Sequence, residues 1–422
     1  MRRSWAGFVA WILFLSSTGA ASAATFHVVL DEHSPLQADL AIDLPAGRSG
    51  DLLLGIAPKS LPTLIGGPDC DGVPLEAKSP ARWIAPSACR TVRWRVGLRD
   101  QDKEGMDASD PTGAWSGEGR WWLLTNHLAF LAPSGGWDEA KVEIAARLRD
   151  GRIVRNVQPF PHRGQMPFYG IVSAKPPRLY RDRGFMLRVH GAIPPEAGDA
   201  QQRFFAQTWS RWRRDVLPKG AKSPASLDIL WVPPPPRAEP NFLASAGMRA
   251  VLMQNIPGPD KAASDAKLRA AVILGVHEGF HTLIGSIPAT WPMWVNESWA
   301  SYFAWRAAQA RLDPAALAMA RELVDAPASP SLLAIEAQVE HGDGSNYEAF
   351  YGKGARFWAA IDAVLATRAN QTGRLAALIQ DTDGLKGLDW SKPDAISAYL
   401  NARSAGRAGT IVHCYLVATG CG

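Results

Sequence analysis

A chain of 422 residues is too long for one compact core and accommodates two domains. With 47% hydrophobic and 20% charged residues it has the composition of an ordinary globular protein, which excludes a largely disordered chain. The formal net charge of +5 is spread along the sequence without a basic stripe, which excludes a dedicated nucleic-acid binder.

Residues 1–23 read as a secretory signal. Arg2 and Arg3 supply a positive start, Trp5 to Leu15 a short apolar run, and Ala21-Ser22-Ala23 a small-residue cleavage site. The run is too short to span a bilayer comfortably, and no later segment is apolar enough to do so. The expectation is an exported protein, periplasmic or extracellular, with no stable membrane insertion after cleavage. Cleavage removes two arginines and no acids, so the charge falls from +5 to +3.

Residues 24–178 predict a β-rich N-terminal domain. TFHVVL, ADLAIDLP, RTVRWRVGL, GRWWLLTNHLAFL, KVEIAARL and GRIVRNV are short strand-like runs separated by Gly, Pro, Asp and Ser clusters, a spacing that suggests a sandwich or saddle-like sheet. Four cysteines follow the signal, and an oxidising compartment makes disulfides their expected use. Proximity favours Cys70–Cys89 and Cys414–Cys421 among three possible pairings.

Residues 179–422 predict a second domain, mixed at first and then almost wholly helical, so the fold class is α+β. FMLRVHG and SLDILWV read as strands around an amphipathic helix at 195–216, and Pro233 to Pro236 as a stiff connector. FLASAGMRAVLMQ reads as strand material bent at its central glycine. Helices are expected at 264–285 with Ser264 as N-cap, and at 293–312, 314–325, 348–368, 373–381 and 392–402. The 17 tryptophans, among them Trp121, Trp122, Trp209, Trp212, Trp299 and Trp305, lie in strand or helix patterns and read as core. The polar loop at 340–346 reads as a surface turn. His27, His33, His127, His162, His190 and His413 have no partner at ligand spacing and read as structural.

The chemistry concentrates in His277-Glu278-Gly279-Phe280-His281. On a helix, residues four apart share a face, so both imidazoles can reach one ion. Glu278 points about 100° away from His277 and can take a proton from water held at that ion. The apolar run Val272 to Val276 buries this helix, where uncompensated histidines and a glutamate are costly and a metal resolves the cost. Catalytic zinc takes three protein ligands and keeps one position open. Glu297, near the start of the next helix among Trp, Phe and Tyr neighbours, is the candidate third ligand. Gly285, Pro288 and Pro292 turn the chain so that an antiparallel pair presents it. The cofactor expectation is one Zn²⁺.

HEGFH followed by WVNESWASYF resembles the gluzincin metallopeptidases, the clan of the M1 aminopeptidases and the M61 glycyl-aminopeptidase-like family. Tyr351-Gly352-Lys353-Gly354 matches their YxKG element, and GARFWAAIDAVLATRANQTGRLAALI is closer to M61. The resemblance is specific over about residues 270–380. It implies a thermolysin-like, mainly helical zinc peptidase domain after the β-rich one, a peptide or protein substrate, and an oxyanion-stabilising role for Tyr351.

Three departures stand out. The His281-to-Glu297 interval is shorter than is usual in these families. Where the aminopeptidases carry a GAMEN-type motif holding the substrate's free amine, this chain has Ala246-Gly247-Met248-Arg249-Ala250. Arg249 there repels an ammonium and attracts a carboxylate, whereas the backbone of Gly247 and Met248 can still line the cleft as a strand edge that pairs with a peptide. Many M61 members continue into a PDZ domain, and none is expected here.

The expected function is therefore that of a secreted zinc metallopeptidase, exo- or endo-acting, with Glu278 as general base. The rival expectations are a zinc-bound, non-hydrolytic peptide-binding protein and an envelope assembly protein working through its β-rich domain. No sequence feature sets the oligomeric state.

Overall fold

The computed structural model of the protein describes residues 24–44, 50–108, 111–126, 128–133, 136–137, 140–160, 167–193, 198–221, 223–233, 242–255, 261–285, 287, 291–311, 330–365 and 374–418. The expected signal at 1–23, the expected helix at 314–325, most of the proline connector, His127, His162 and Cys421 lie outside the described residues.

The first half is a β-sandwich. Its large sheet runs in the order Ile153–Phe160, Ala140–Arg147, Ala24–Asp31, Gln37–Asp43, Thr91–Gly97, Leu64–Cys70, Val73–Pro74. Ala24–Asp31 is parallel to Ala140–Arg147, and the other neighbours are antiparallel. Strict alternation in ATFHVVLD turns Phe26, Val28 and Leu30 inward. These pack with Trp94, with Trp122 and Val172 of a second sheet, and with Leu54 and Trp83 of a third. Cys70 and Cys89 form the expected disulfide. Cys414 is also disulfide-bonded, and the partner expected for it, Cys421, falls outside the described residues.

One buried carboxylate locks this half. Arg120 donates to both oxygens of Glu32, from Nε at 2.7 Å and Nη2 at 2.9 Å, and the Arg149 amide donates at 2.9 Å. The bonds from Arg120 hold the Glu32 carboxyl below the usual carboxylate range against the opposing effect of burial. A group with a depressed folded pKa stabilises the fold above its unfolded pKa of about 4.3 and ceases to do so as pH falls through the folded value. Glu32→Gln is therefore expected to lower stability at pH 7 by about 1–2 kcal/mol. In thermal melts the gap from wild type should close as pH falls below about 4.

The second half centres on a five-stranded sheet of β1 (Arg178–Asp182), β2 (Phe185–Gly191), β3 (Ser226–Val232), β4 (Phe242–Ala246) and β5 (Ala250–Asn255), in spatial order β1-β2-β3-β5-β4. β2, β3 and β5 are parallel, so crossovers are required, and α1 (Asp199–Asp215) supplies the one from β2 to β3. Both faces are covered, which is why every residue from Leu227 to Val232 is buried. Leu227, Ile229 and Trp231 face Phe205 and Trp209 of α1, while Leu230, Val232 and Leu252 face Trp121, Leu123 and Tyr169 of the first half. The glycine expected as a bend is a hairpin turn, closed by the Gly247 amide donating to Ala250 O at 2.8 Å.

The helices are α2 (Lys261–Ile284), α3 (Met293–Arg311), α4 (Leu332–Glu340), α5 (Ala349–Val364), α6 (Leu375–Ile379), α7 (Thr382–Lys386), α8 (Pro393–Ser404) and α9 (Gly409–Val412). Ser264, expected as an N-cap, lies inside α2. α4, which the sequence reading passed over, starts where Ser331 Oγ accepts from the Ala334 amide at 3.2 Å. Trp121, Trp122, Trp209, Trp212 and Trp299 are core residues and Trp305 packs half-buried against them. Residues 341–346 form turns that lead into Tyr347. No helix among the described residues is long and apolar enough to cross a membrane.

Candidate metal centre

From Ile273 to Ile284 α2 is buried on nearly every side, the pattern of a helix with an apolar surround. Two glycines one turn apart let it press against its supports. A Cβ at Gly275 would lie 2.7 Å from Met253 Cε and 2.8 Å from Phe205 Cζ, and one at Gly279 would lie 2.0 Å from the Trp209 indole. That close approach fixes the height at which His277 and His281 stand. α3 follows antiparallel, and its first turn is capped from outside: Glu336 of α4 accepts from the Met293 and Trp294 amides, both at 2.9 Å. α5 crosses α3 at a third glycine, Gly354, where a Cβ would meet Ser298 Cβ at 2.3 Å. This contact is next to Glu297, and Tyr351 lies one turn earlier on α5. Lys353 is buried and donates from Nζ to Pro330 O at 2.9 Å.

The structure brings three of the expected residues to one point. His277 Nε2 and His281 Nε2 are 2.9 Å apart, and each lies 3.2 Å from Glu297 Oε2. Among the described residues this is the one group of three with the donors of a metal site, and it is buried. Donors bonded at about 2.0–2.1 Å to a tetrahedral ion stand about 3.3 Å apart, so the set fits zinc with little rearrangement. Outer partners orient the rings: Asn296 Oδ1 lies 3.2 Å from His281 Nδ1, and Ser301 Oγ lies 3.2 Å from His277 Nδ1. With Nδ1 engaged on the outer side, each ring turns Nε2 to the centre.

The electrostatics are those of a tightly coupled cluster. Burial alone would lower the His281 pKa, but the Glu297 charge outweighs it and pushes the imidazole up to about 9. Burial would raise Glu297, yet the imidazoles hold it below the usual carboxylate range. Glu278 is pushed up by burial, opposed by both imidazoles and by a hydrogen bond from the Ala246 amide. Tyr351 sits with its ring centroid 5.4 Å from that of His277, and burial with the charges of Glu297 and Glu278 keeps its phenol protonated.

The hairpin residues sit at the rim. Among the described residues β4 is the edge strand and pairs with β5 alone. The Gly247 amide is engaged with Ala250 O, and the Met248 amide donates to Pro167 O at 2.9 Å. Neither is free for a peptide backbone. Arg249 is exposed before β5, and its carbonyl accepts from the Asp228 amide. The amide that reaches the centre is that of Ala246.

Sequence reading missed Ala246, Asn296, Ser301, Glu336 and Tyr347. The first two adjoin residues it had flagged, and Ser301 follows Glu297 by one helical turn. Tyr347 donates to Glu297 Oε1 at 3.0 Å, a contact formed between separate elements that no local pattern signals.

No protein-family model and no curated protein matches the sequence. Solved structures do match in fold. An aminopeptidase N family protein from Idiomarina loihiensis superposes with a TM-score of 0.66 at 13% identity, over 94% of this chain and 76% of that one. An M1 zinc metallopeptidase variant from Deinococcus radiodurans bound to a Tyr-Ser-Ala substrate gives 0.54 at 13% identity, over 94% and 93%. A two-domain M1 zinc metallopeptidase variant bound to L-arginine gives 0.54 at 14%, over 95% of each chain. The chain thus has the two-domain fold of these enzymes, a β-rich N-terminal half followed by a mainly helical one.

Proposed function

We propose that this protein is a zinc-dependent peptidase, exported from the cytoplasm, that hydrolyses peptide bonds with Glu278 as general base. The convergence of His277, His281 and Glu297 beside Glu278 carries the reading. The fold neighbours support it, since one of them holds a Tyr-Ser-Ala substrate. The disulfide between Cys70 and Cys89 and the signal-like residues 1–23 support export.

His277, His281 and Glu297 would hold one zinc ion, which supplies Lewis-acid polarisation of the scissile carbonyl and a water of lowered pKa. Glu278 takes the proton of the attacking water and delivers it to the leaving nitrogen. The Ala246 amide holds the Glu278 carboxylate in place for both transfers. Tyr351, kept protonated by its surroundings, donates a hydrogen bond to the oxyanion as it develops. The free edge of β4 offers an extended substrate backbone a strand to pair with, and Gly247, Met248 and Arg249 bound the cleft at its end.

A peptide library incubated with the purified protein and read by mass spectrometry tests this. Cleavage should stop in a strong chelator and return with added zinc. A protein that holds zinc yet cleaves nothing in the library would favour the non-hydrolytic binding alternative.

A further inference from the structure

Glu297 uses its two oxygens differently. Oε2 faces the imidazoles, whereas Oε1 accepts the Tyr347 hydroxyl at 3.0 Å. Tyr347 is also hydrogen-bonded to the Tyr351 hydroxyl, with ring centroids 5.7 Å apart. A phenol has one proton, and a carboxylate can only accept. The Tyr347 proton therefore goes to Glu297, and Tyr351 donates to the Tyr347 oxygen. The Tyr347 ring is braced by Phe350 at 5.4 Å between centroids.

We infer that Tyr347 is a positioning residue that orients the Glu297 carboxylate for the metal and, through its oxygen, anchors the Tyr351 phenol. Two consequences follow from chemistry. With Oε1 tied to a phenol, Glu297 presents one oxygen rather than two, which leaves a coordination position open for water or substrate. In addition, the resting Tyr351 proton is parked on Tyr347 until an oxyanion competes for it. Tyr347 touches no reacting atom and acts only through Glu297 and Tyr351. The inference rests on the zinc-peptidase reading.

The test measures metal rather than turnover. Wild type, Tyr347→Phe, Tyr351→Phe and His277→Ala proteins are titrated with zinc against a chromophoric chelator, and their cobalt-loaded forms are recorded in the visible region. Tyr347→Phe keeps the ring and its packing, and equal melting temperatures in chelator will verify the fold. The expected result is a zinc affinity lowered about 10–100-fold in Tyr347→Phe. Its cobalt spectrum should be altered as Glu297 turns, while Tyr351→Phe stays within about threefold of wild type. An affinity in Tyr347→Phe within about threefold of wild type with an unchanged cobalt spectrum overturns the inference. So does an equal loss in both tyrosine variants, which would mark general loosening. If wild type binds zinc no better than His277→Ala, the zinc reading itself fails, and that outcome is distinguishable from the others.

Discussion

Glu278→Gln is expected to lower kcat/KM for a cleaved peptide by about 10²–10⁴-fold while zinc content stays at one ion per chain. The substitution is nearly isosteric, and the side-chain oxygen of glutamine can still accept the Ala246 amide that now holds Glu278. What it loses is the ability to take up a proton. Glu278 stands about 100° around α2 from His277, outside the converging donors, so the metal set is untouched. The two measurements must be made on one preparation. Activity above about a tenth of wild type in the zinc-loaded variant would remove Glu278 from the general-base role, since proton transfer by a positioned carboxylate is worth far more than tenfold.

Gly279→Val should cost at least about 1–3 kcal/mol and take the metal site with it. In most helix interiors, replacing glycine stabilises, by about 0.5–1 kcal/mol for alanine. Here the first added carbon lies 2.0 Å from the Trp209 indole, which is wholly buried between α1 and α2. Either the indole moves, disturbing its stack on Phe205, or α2 lifts and carries His277 and His281 away from Glu297. A double-mutant cycle with Trp209→Leu separates these effects. The smaller side chain should restore part of the stability and zinc binding lost in Gly279→Val, with a coupling of about 0.5–3 kcal/mol. A stable, zinc-binding Gly279→Val protein would show that the helices do not approach as described.

The candidate metal donors were legible because their geometry is local. Two histidines four apart on a helix must share a face, and the next helix begins close enough to return a carboxylate. The strands of the first half were legible for the same reason, since ATFHVVLD shows its inward face by alternation. What stayed hidden depends on distant segments. The order of the seven-stranded sheet places Ala24–Asp31 beside Ala140–Arg147, more than a hundred residues later, and nothing local encodes that choice. Gly275, Gly279 and Gly354 read in isolation as weak points in helices, and only Phe205, Trp209 and Ser298 explain them. Tyr351 came from resemblance, whereas Tyr347 lacked any motif and became visible only through its bond to Glu297. The hairpin at Gly247 was read as a place where backbone amides meet substrate. Its amides are instead used to close the turn and to reach Pro167.

That last bond ties the hairpin beside Glu278, the proposed general base, to the other half of the molecule. Pro167 O takes the Met248 amide, the Tyr169 hydroxyl donates to Ser245 Oγ, and Ser245 Oγ donates to Ala108 O. Gln254 adds its own grip, donating to Met106 O at 2.7 Å. Removing residues 24–178 would therefore unmoor the strand that steadies Glu278 and strip cover from Leu230, Val232 and Leu252. A truncated protein without activity would say nothing about where the bond is cut, because the Glu278 carboxylate would have lost the surface it leans on. Single substitutions at His277 or Glu278 leave that scaffolding standing and discriminate where truncation does not.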